Sequence, residues 1–384
     1  MASIAEKAGR RILIAQTSFL GDVVLTTALA RLIADANPRD ELWWLVRPDA
    51  APLLAVTAGA DRVLTLDKRG RDRGFKALRA AAERLRRLDF EIAIGVQRSL
   101  RTALLLALAR VPLRVGFARS PGALLYHRTV RRAGAHARDR LLALATALGI
   151  PLPDPAPLPS LAVDPAARAA AERLLVAAGV ARGSRFIVVA PGSAWPTKEW
   201  PVESFAVLAA ELAMRSGERV VVVGTAGDRE RARAILASVA ACGAAPEAAA
   251  AAAIDLTGRT STAELVAVIA QASLVVANDS APAHLAAALG RPTVALFGPT
   301  VPAQGFAPLG PRVRIAERRL ACRPCSRHGG QACPIDTHAC LAGLRPAAVL
   351  AQVEALGVLP AALAAEGTAR RAADRAGASV AGSA

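Results

Sequence analysis

The stretch ASLVVANDSAPAHLAAALGRPTVALFGP, Ala272 to Pro299, decides the fold class. Leu274, Val275 and Val276 form an unbroken apolar run, the pattern of a strand buried on both faces of a parallel sheet. Asn278, Asp279 and Ser280 interrupt it with residues that favour turns and helix N-caps. Pro282 is tolerated in a first helical turn, Leu285 to Leu289 carries the helix, and Gly290 is placed to end it. Thr293 to Phe297 reads as a second buried strand. Such a unit sets a helix N-terminus at the carboxyl edge of a sheet, where backbone N–H groups favour an anion. Asp279, Ser280 and His284 project near that point, and His284 shares a helix face with Ser280. From these residues alone, His284 reads equally as a structural histidine and as a ligand contact.

The same alternation extends in both directions. Towards the N-terminus, Arg11 to Gln16, Leu42 to Val46, Arg62 to Leu66 and Ile92 to Val96 read as strands. Helical patterns lie between or after them, at Val23 to Ala34, Phe75 to Leu88 and Ser99 to Arg110. Pro151 to Pro159 holds five prolines and reads as a linker. A second series follows, with strands at Phe186 to Ala190, Arg219 to Val223 and Ile254 to Gly258 leading to the opening unit. Two such series predict an α/β protein of two doubly wound, Rossmann-like parallel-sheet domains facing across a cleft. At 384 residues the chain is also long for a single core. The expected division is 1–160, 161–355 and a tail at 356–384 rich in Ala, Gly and Arg, read as partly disordered. Ala240 to Ala253 reads as a frayed helix and loop.

The net charge is +17, and residues 1–150 carry 26 Lys and Arg against 13 Asp and Glu. A basic first half points to an anionic partner, either a membrane surface or a phosphorylated acceptor. Zinc-finger and RNA-recognition signatures are missing, so nucleic acid is not an expected partner. No apolar run approaches the roughly 20 residues of a membrane span. The N-terminus lacks the pattern of a secretory signal, so a cytoplasmic protein with reduced thiols is expected.

Two strand ends carry the chemistry-bearing residues. Thr17-Ser18-Phe19-Leu20-Gly21-Asp22 follows the first strand, and Asp22 falls in the first turn of the next helix. It reads either as a dipole-complementing carboxylate or as a base facing the cleft. Pro191 to Pro201, PGSAWPTKEWP, follows the strand at Phe186. Gly192 and Ser193 would let backbone approach a phosphate, and Lys198 would supply a point charge. Lys198 is the only lysine in the second half of a chain whose other basic residues there are arginines. Trp200 reads as a packing residue.

TSFLGDVVLTTAL, PGSAWPTKEWP and NDSAPAHLAAALGRPTVALFGPT, in this order, resemble glycosyltransferase family 9, the bacterial ADP-heptose:lipopolysaccharide heptosyltransferases. The NDS form of the third motif is most similar to the heptosyltransferase II branch, and the similarity covers roughly residues 10–355. The resemblance implies GT-B architecture, with acceptor bound by the first domain and ADP-heptose by the second. It implies inverting transfer to the lipopolysaccharide inner core, a heptosyl-Kdo-lipid A acceptor, with no cofactor in the chemistry. A monomer, peripheral on the cytoplasmic face of the inner membrane, is the matching expectation.

By the same resemblance Asp22 is the general base and Lys198 neutralises the departing diphosphate. Ser193, Asp279, Ser280 and His284 line the donor pocket. Thr225 and Asp228 lie in the turn that approaches the ribose, and Thr260 lies where the backbone meets the adenine. Two positions depart from the pattern: Ala281-Pro282 replaces a glycine-led pair, and Glu199 stands where a basic or aromatic residue is common. The D-x-D motif typical of metal-dependent transferases is missing; Asp89-Phe90-Glu91 is the nearest segment and precedes a strand. Arg98 and Arg101, at a strand-to-helix junction, are candidates for acceptor phosphates or carboxylates.

Cys322, Cys325, Cys333 and Cys340 lie in one segment with His328 and His338. Their spacing reads as a structural Zn²⁺ site, as loosely packed reduced thiols, or as redox-active thiols. Beside the heptosyltransferase, two other readings stay open: another nucleotide-sugar enzyme on this fold, such as an epimerase, and a non-catalytic protein that binds anionic surfaces.

Overall fold

A computed structural model describes residues 9–68, 70–241 and 253–359. The expectations for the Ala240 to Ala253 stretch and the tail fall mainly on 242–252 and 360–384, outside the described residues. Among the described residues, twelve strands form two parallel sheets. In the first half these are β1 (Arg11–Ala15), β2 (Glu41–Val46), β3 (Val63–Thr65), β4 (Ile92–Gly95), β5 (Leu113–Phe117) and β6 (Arg128–Val130). In the second they are β7 (Phe186–Ala190), β8 (Arg219–Val222), β9 (Ala253–Asp255), β10 (Leu274–Asn278), β11 (Thr293–Phe297) and β12 (Val313–Glu317).

Strand order is β3-β2-β1-β4-β5-β6 in one sheet and β12-β11-β10-β7-β8-β9 in the other. Each sheet therefore reverses its winding once, between β1 and β4 and between β7 and β10. At such a switch point the loops leave the sheet in opposite directions and open a crevice beyond the carboxyl ends of the strands. The loop before Asp22 follows β1, and the Lys198 turn and Asn278-Asp279-Ser280 follow β7 and β10. Asp22, Lys198, Asp279 and Ser280 thus lie at the two switch points, whereas Thr225, Asp228 and Thr260 follow β8 and β9, further out in the second sheet.

Every expected strand is present within a residue or two of its bounds, except that Ile254 to Gly258, read as a short strand and turn, is strand only over Ala253–Asp255. The sequence reading lacked β5, β6 and β12. β5 is LRVGF and β12 is VRIAE, each interrupting its apolar run with arginine, and β6 is only three residues long. β3, β6, β9 and β12 are the outer strands, where solvent on one side tolerates such residues.

The pleat sends alternate residues to opposite faces. Ile12 and Ile14 of β1 join an apolar cluster that also holds Val188, Val275 and Ala277 of the second sheet, while Leu13 and Ala15 face a separate cluster. The two halves thus share one contiguous apolar layer. Helix Leu20–Ala36 packs against helix Ala281–Ala288 across it. Polar ties flank the layer. Ser160 N–H donates to Thr27 Oγ1 at 3.0 Å, and Ala137 N–H donates to the Gly305 carbonyl at 2.6 Å. Gly305 has φ +81°, and a Cβ there would lie 2.1 Å from the Ala135 carbonyl oxygen.

Gly21 marks a close helix approach: a Cβ on it would lie 2.9 Å from His284 Cδ2. Gly21→Ala is expected to push the His284 ring and the two helices apart, costing about 1–3 kcal/mol as overpacking does. Thermal unfolding should show a lowered midpoint; an unchanged midpoint would mean the interface yields without strain.

Candidate active site

The second switch point is organised by Asn278. Its Nδ2 donates to the Pro191 carbonyl at 2.7 Å, and its Oδ1 accepts from Trp200 N–H at 3.1 Å. One buried amide thereby locks the end of β10 to both ends of the Pro191–Pro201 turn. Trp200 is fully buried, donates from Nε1 to the Leu344 carbonyl at 2.9 Å, and meets Phe205 edge-on at 4.9 Å. It packs, as the sequence suggested.

Between these anchors the short turn Pro196–Lys198 lifts Lys198 towards β10. Its Nζ lies 2.6 Å from Asp279 Oδ2. The same oxygen accepts from Thr300 Oγ1 at 2.6 Å. Both members of the ion pair are largely buried, with side chains 12% and 7% exposed. Beside them Ser280 begins helix Ala281–Ala288, but its hydroxyl does not cap that helix. Ser280 Oγ and His284 Nδ1 are both buried without a hydrogen-bond partner. A buried polar atom left unpaired is costly, so these two atoms are available to a ligand. Burial depresses His284 to a pKa of about 4, against the pull of Asp279; Lys198 and His136 push it the same way as burial. The ring is neutral near pH 7.

Asp22 faces this group from the first half. Burial raises its carboxyl from 3.8 to about 6; the Phe19 backbone and the charges of Arg132 and Lys198 hold it down against that rise. A carboxylate within electrostatic reach of Lys198 and poised near pH 6 suits a general base. Gln97, just beyond β4, ties down the loop before Asp22 through its amide contacts with Thr17 and Ser18.

The remaining donor candidates frame the same crevice. Ser193 Oγ accepts from Trp195 N–H at 3.3 Å and so shapes the turn. Asp228 is buried, accepts from Thr225 N–H at 2.8 Å and Thr225 Oγ1 at 2.7 Å, and pairs with Arg231 at 3.2 Å. A Cβ on Gly192 or Gly224 would strike its carboxylate. Asp228 therefore braces the loops after β7 and β8 with both oxygens engaged. Glu199, the unusual residue of the turn, pairs with Arg231 and accepts from Ser193 N–H. Thr260 is half-buried in the loop after β9.

On the first half Arg98 is exposed and donates to the Arg119 carbonyl at 2.9 Å. Arg101 is bound to the Asp72 and Gly74 carbonyls, so its guanidinium is partly committed to holding a loop. Lys68 was not singled out from sequence. Burial, then the charges of Arg101 and Arg47, lower it from 10.5 to about 8. Arg132 also escaped notice. Burial and the charges of Arg140, Arg98 and Arg327 all disfavour its cation, and only Asp22 favours it.

Of the three cysteine readings, the structure bears on the structural Zn²⁺ site. Among the described residues no group of three or more His, Cys, Asp or Glu side chains is gathered to hold a metal ion. Cys340 is buried in the apolar cluster beneath the segment, whereas Cys322 and Cys325 are exposed and Cys333 is half-exposed. A zinc site needs four ligands converging on one point, and burying one thiol in the core works against that.

Two Rossmann-like units meeting at their switch points form the GT-B architecture. Residues 78–334 match the family model of glycosyltransferase family 9 (heptosyltransferase), and the chain belongs to that family. It is 30% identical over 378 residues to lipopolysaccharide heptosyltransferase 1 of Pseudomonas aeruginosa, covering 91% of this chain and 99% of the relative. The solved E. coli ADP-heptose lps heptosyltransferase II aligns with a TM-score of 0.72 at 26% identity, covering 90% of this chain and 98% of that one. E. coli heptosyltransferase WaaC with ADP aligns with a TM-score of 0.68 at 25% identity, covering 90% and 99%. The similarity thus reaches relatives of both numbered types.

The raised Asp22 pKa carries a stability consequence. Folding raises the pKa, so the folded state holds the proton more tightly than the unfolded chain. Stability is therefore greatest below about pH 4 for this group and falls as pH rises through about 6. The full shift corresponds to about 3 kcal/mol. Asp22→Asn should unfold at higher temperature than the wild type at pH 8, with the gap closing towards pH 4. A gap independent of pH would contradict the burial assigned to this carboxyl.

Proposed function

We propose that the chain transfers heptose from ADP-heptose to the inner core of lipopolysaccharide, on a heptosyl-Kdo-lipid A acceptor. The reading is carried by one observation: the perturbed Asp22 carboxyl stands within electrostatic reach of the Lys198–Asp279 pair at the facing switch point. Family membership and the relatives' printed names support the donor and the acceptor.

In this reading the 161–355 half takes the donor. Lys198 turns from Asp279 towards the diphosphate, and the N-terminus of helix Ala281–Ala288 adds its N–H groups. Ser280 Oγ and neutral His284 supply hydrogen bonds from atoms that have no partner within the protein. Ser193, Thr225, Asp228 and Thr260 shape the nucleoside end. The 1–160 half takes the acceptor, with Arg98, Arg101 and Lys68 facing its anionic groups. Asp22 accepts the acceptor's hydroxyl proton as its oxygen attacks the anomeric carbon. The bond to the diphosphate oxygen breaks, and Lys198 neutralises the departing ADP. A single displacement inverts the anomeric centre, and the positive charge the leaving group requires comes from Lys198 and the helix. The basic first half would hold the enzyme, as a monomer, on the anionic cytoplasmic face of the inner membrane by surface attraction.

The experiment is a transfer assay with ADP-heptose and the lipid acceptor across pH. The wild-type rate should fall as pH drops through about 6, because the base must be ionised. Asp22→Asn should lower the rate by about 10²–10⁴-fold and lose that limb. A variant within a few-fold of wild type would return Asp22 to a dipole-complementing role.

A further inference from the structure

The loop that carries the cysteines is built into the cleft. Thr197 N–H donates to the Gly330 carbonyl at 3.2 Å, and Gly330 N–H donates back to Thr197 Oγ1 at 2.8 Å. His338 Nε2 donates to the Thr197 carbonyl at 2.8 Å. Gly329 lies so close that a Cβ there would sit 2.7 Å from Trp195 Cβ and 3.2 Å from Lys198 Cγ. On its other side, Gln304 Nε2 donates to the Ser326 carbonyl at 2.9 Å, and His328 meets Phe306 edge-on at 6.4 Å. Phe306 in turn lies under the Arg140 guanidinium at 5.8 Å. The loop therefore spans from the Lys198 turn to the first half of the chain, and Arg327 and His328 are exposed at its tip.

Arg327 adds to a set of cations that, among the described residues, form no ion pair with a carboxylate. Arg132 stacks over Phe117 at 5.6 Å, and Arg140 donates to the Gly134 and Ala135 carbonyls at 3.0 and 2.7 Å. Among the described residues neither these two arginines nor Arg327 forms an ion pair with a carboxylate. Their charges oppose one another: Arg140 and Arg327 both weigh on Arg132, and Arg327 together with Lys198 weighs on His328. Among the described residues Asp22 is the one carboxylate that offsets this repulsion, and it acts on Arg132 alone; a further anion would relieve the rest, and planar guanidinium forks match phosphoryl oxygens.

We propose that Arg327, delivered across the cleft by the cysteine-rich loop, completes with Arg132 and Arg140 a composite site for a phosphoryl group of the substrates. The proposal rests on the transferase reading above for the identity of those substrates. The phosphoryl group belongs either to the donor's diphosphate or to a phosphate on the lipid acceptor, and both present the same oxygens to the arginines. The loop's role is then recognition: it sets the Lys198 turn from below and adds a cation from above. Arg327 takes no part in the Thr197–Gly330 pairing, so replacing it leaves the loop's anchorage in place.

The test uses the full chain, with Arg327→Gln and Arg327→Lys. ADP and inorganic pyrophosphate are titrated calorimetrically, and steady-state transfer is measured against ADP-heptose and against the lipid acceptor. An Arg327→Gln loss of about tenfold in ADP and pyrophosphate affinity assigns the anion to the donor. A rise of about tenfold in acceptor KM, with ADP affinity kept, assigns it to the acceptor. In either case Arg327→Lys should recover part of the loss, and the thermal midpoint should stay unchanged. ADP affinity, pyrophosphate affinity and acceptor KM all within twofold of wild type would overturn the proposal. Should the wild type transfer no heptose, the activity reading fails separately. The pyrophosphate titration then decides the arginine site alone, and equal affinity in wild type and Arg327→Gln overturns it.

Discussion

The ion pair between Lys198 and Asp279 is the contact on which the cleft depends. It joins the loops after β7 and β10 at the point where the second sheet reverses its winding. Two charges so little exposed lose hydration that their mutual attraction only partly restores. Here the loss is offset by geometry: Thr300 donates to the same carboxylate oxygen, and Asn278 fixes both chain segments next to it. Removing either charge would strand the other, at a cost of about 3–5 kcal/mol. The pair therefore holds a cation beside a helix N-terminus, and in the proposed reading the donor's diphosphate takes that cation over from the carboxylate.

The same economy runs through the neighbouring groups. Asp22 is held above its ordinary pKa, His284 is held far below its own, and Ser280 Oγ has no partner. Each feature weakens the folded state. They cluster where the two halves meet, around the Gly21–His284 contact. The contiguous apolar layer between the sheets, running from Ile12 through Val188 to Val275, supplies the stability that tolerates them.

How much of this was legible in the sequence follows from distance along the chain. The βαβ unit at Ala272 to Pro299 could be read because apolar runs, turn residues and the terminating glycine are local signals. Asp22, Lys198 and Asp279 were singled out because each lies in the segment that follows a strand, where a parallel sheet gathers its loops. β5, β6 and β12 were hidden by arginines and short length. Asn278 looked like one more turn residue; its structural role appears only when β10 lies beside β7. Arg132, Arg327 and Lys68 draw their meaning from partners far away in sequence, so no local pattern marks them. The cysteine spacing suggested a metal, yet Cys340 faces the core, a direction that spacing alone does not encode.

The central claim is that Lys198 serves the diphosphate and not the nucleoside. Calorimetric titration of ADP and of adenosine into the wild type and Lys198→Ala tests it most directly. Lys198→Ala should weaken ADP binding at least about tenfold, the scale of a lost charge-assisted contact, while adenosine affinity stays near the wild-type value. Equal losses for ADP and adenosine would contradict the account and leave Lys198 as a structural partner of Asp279.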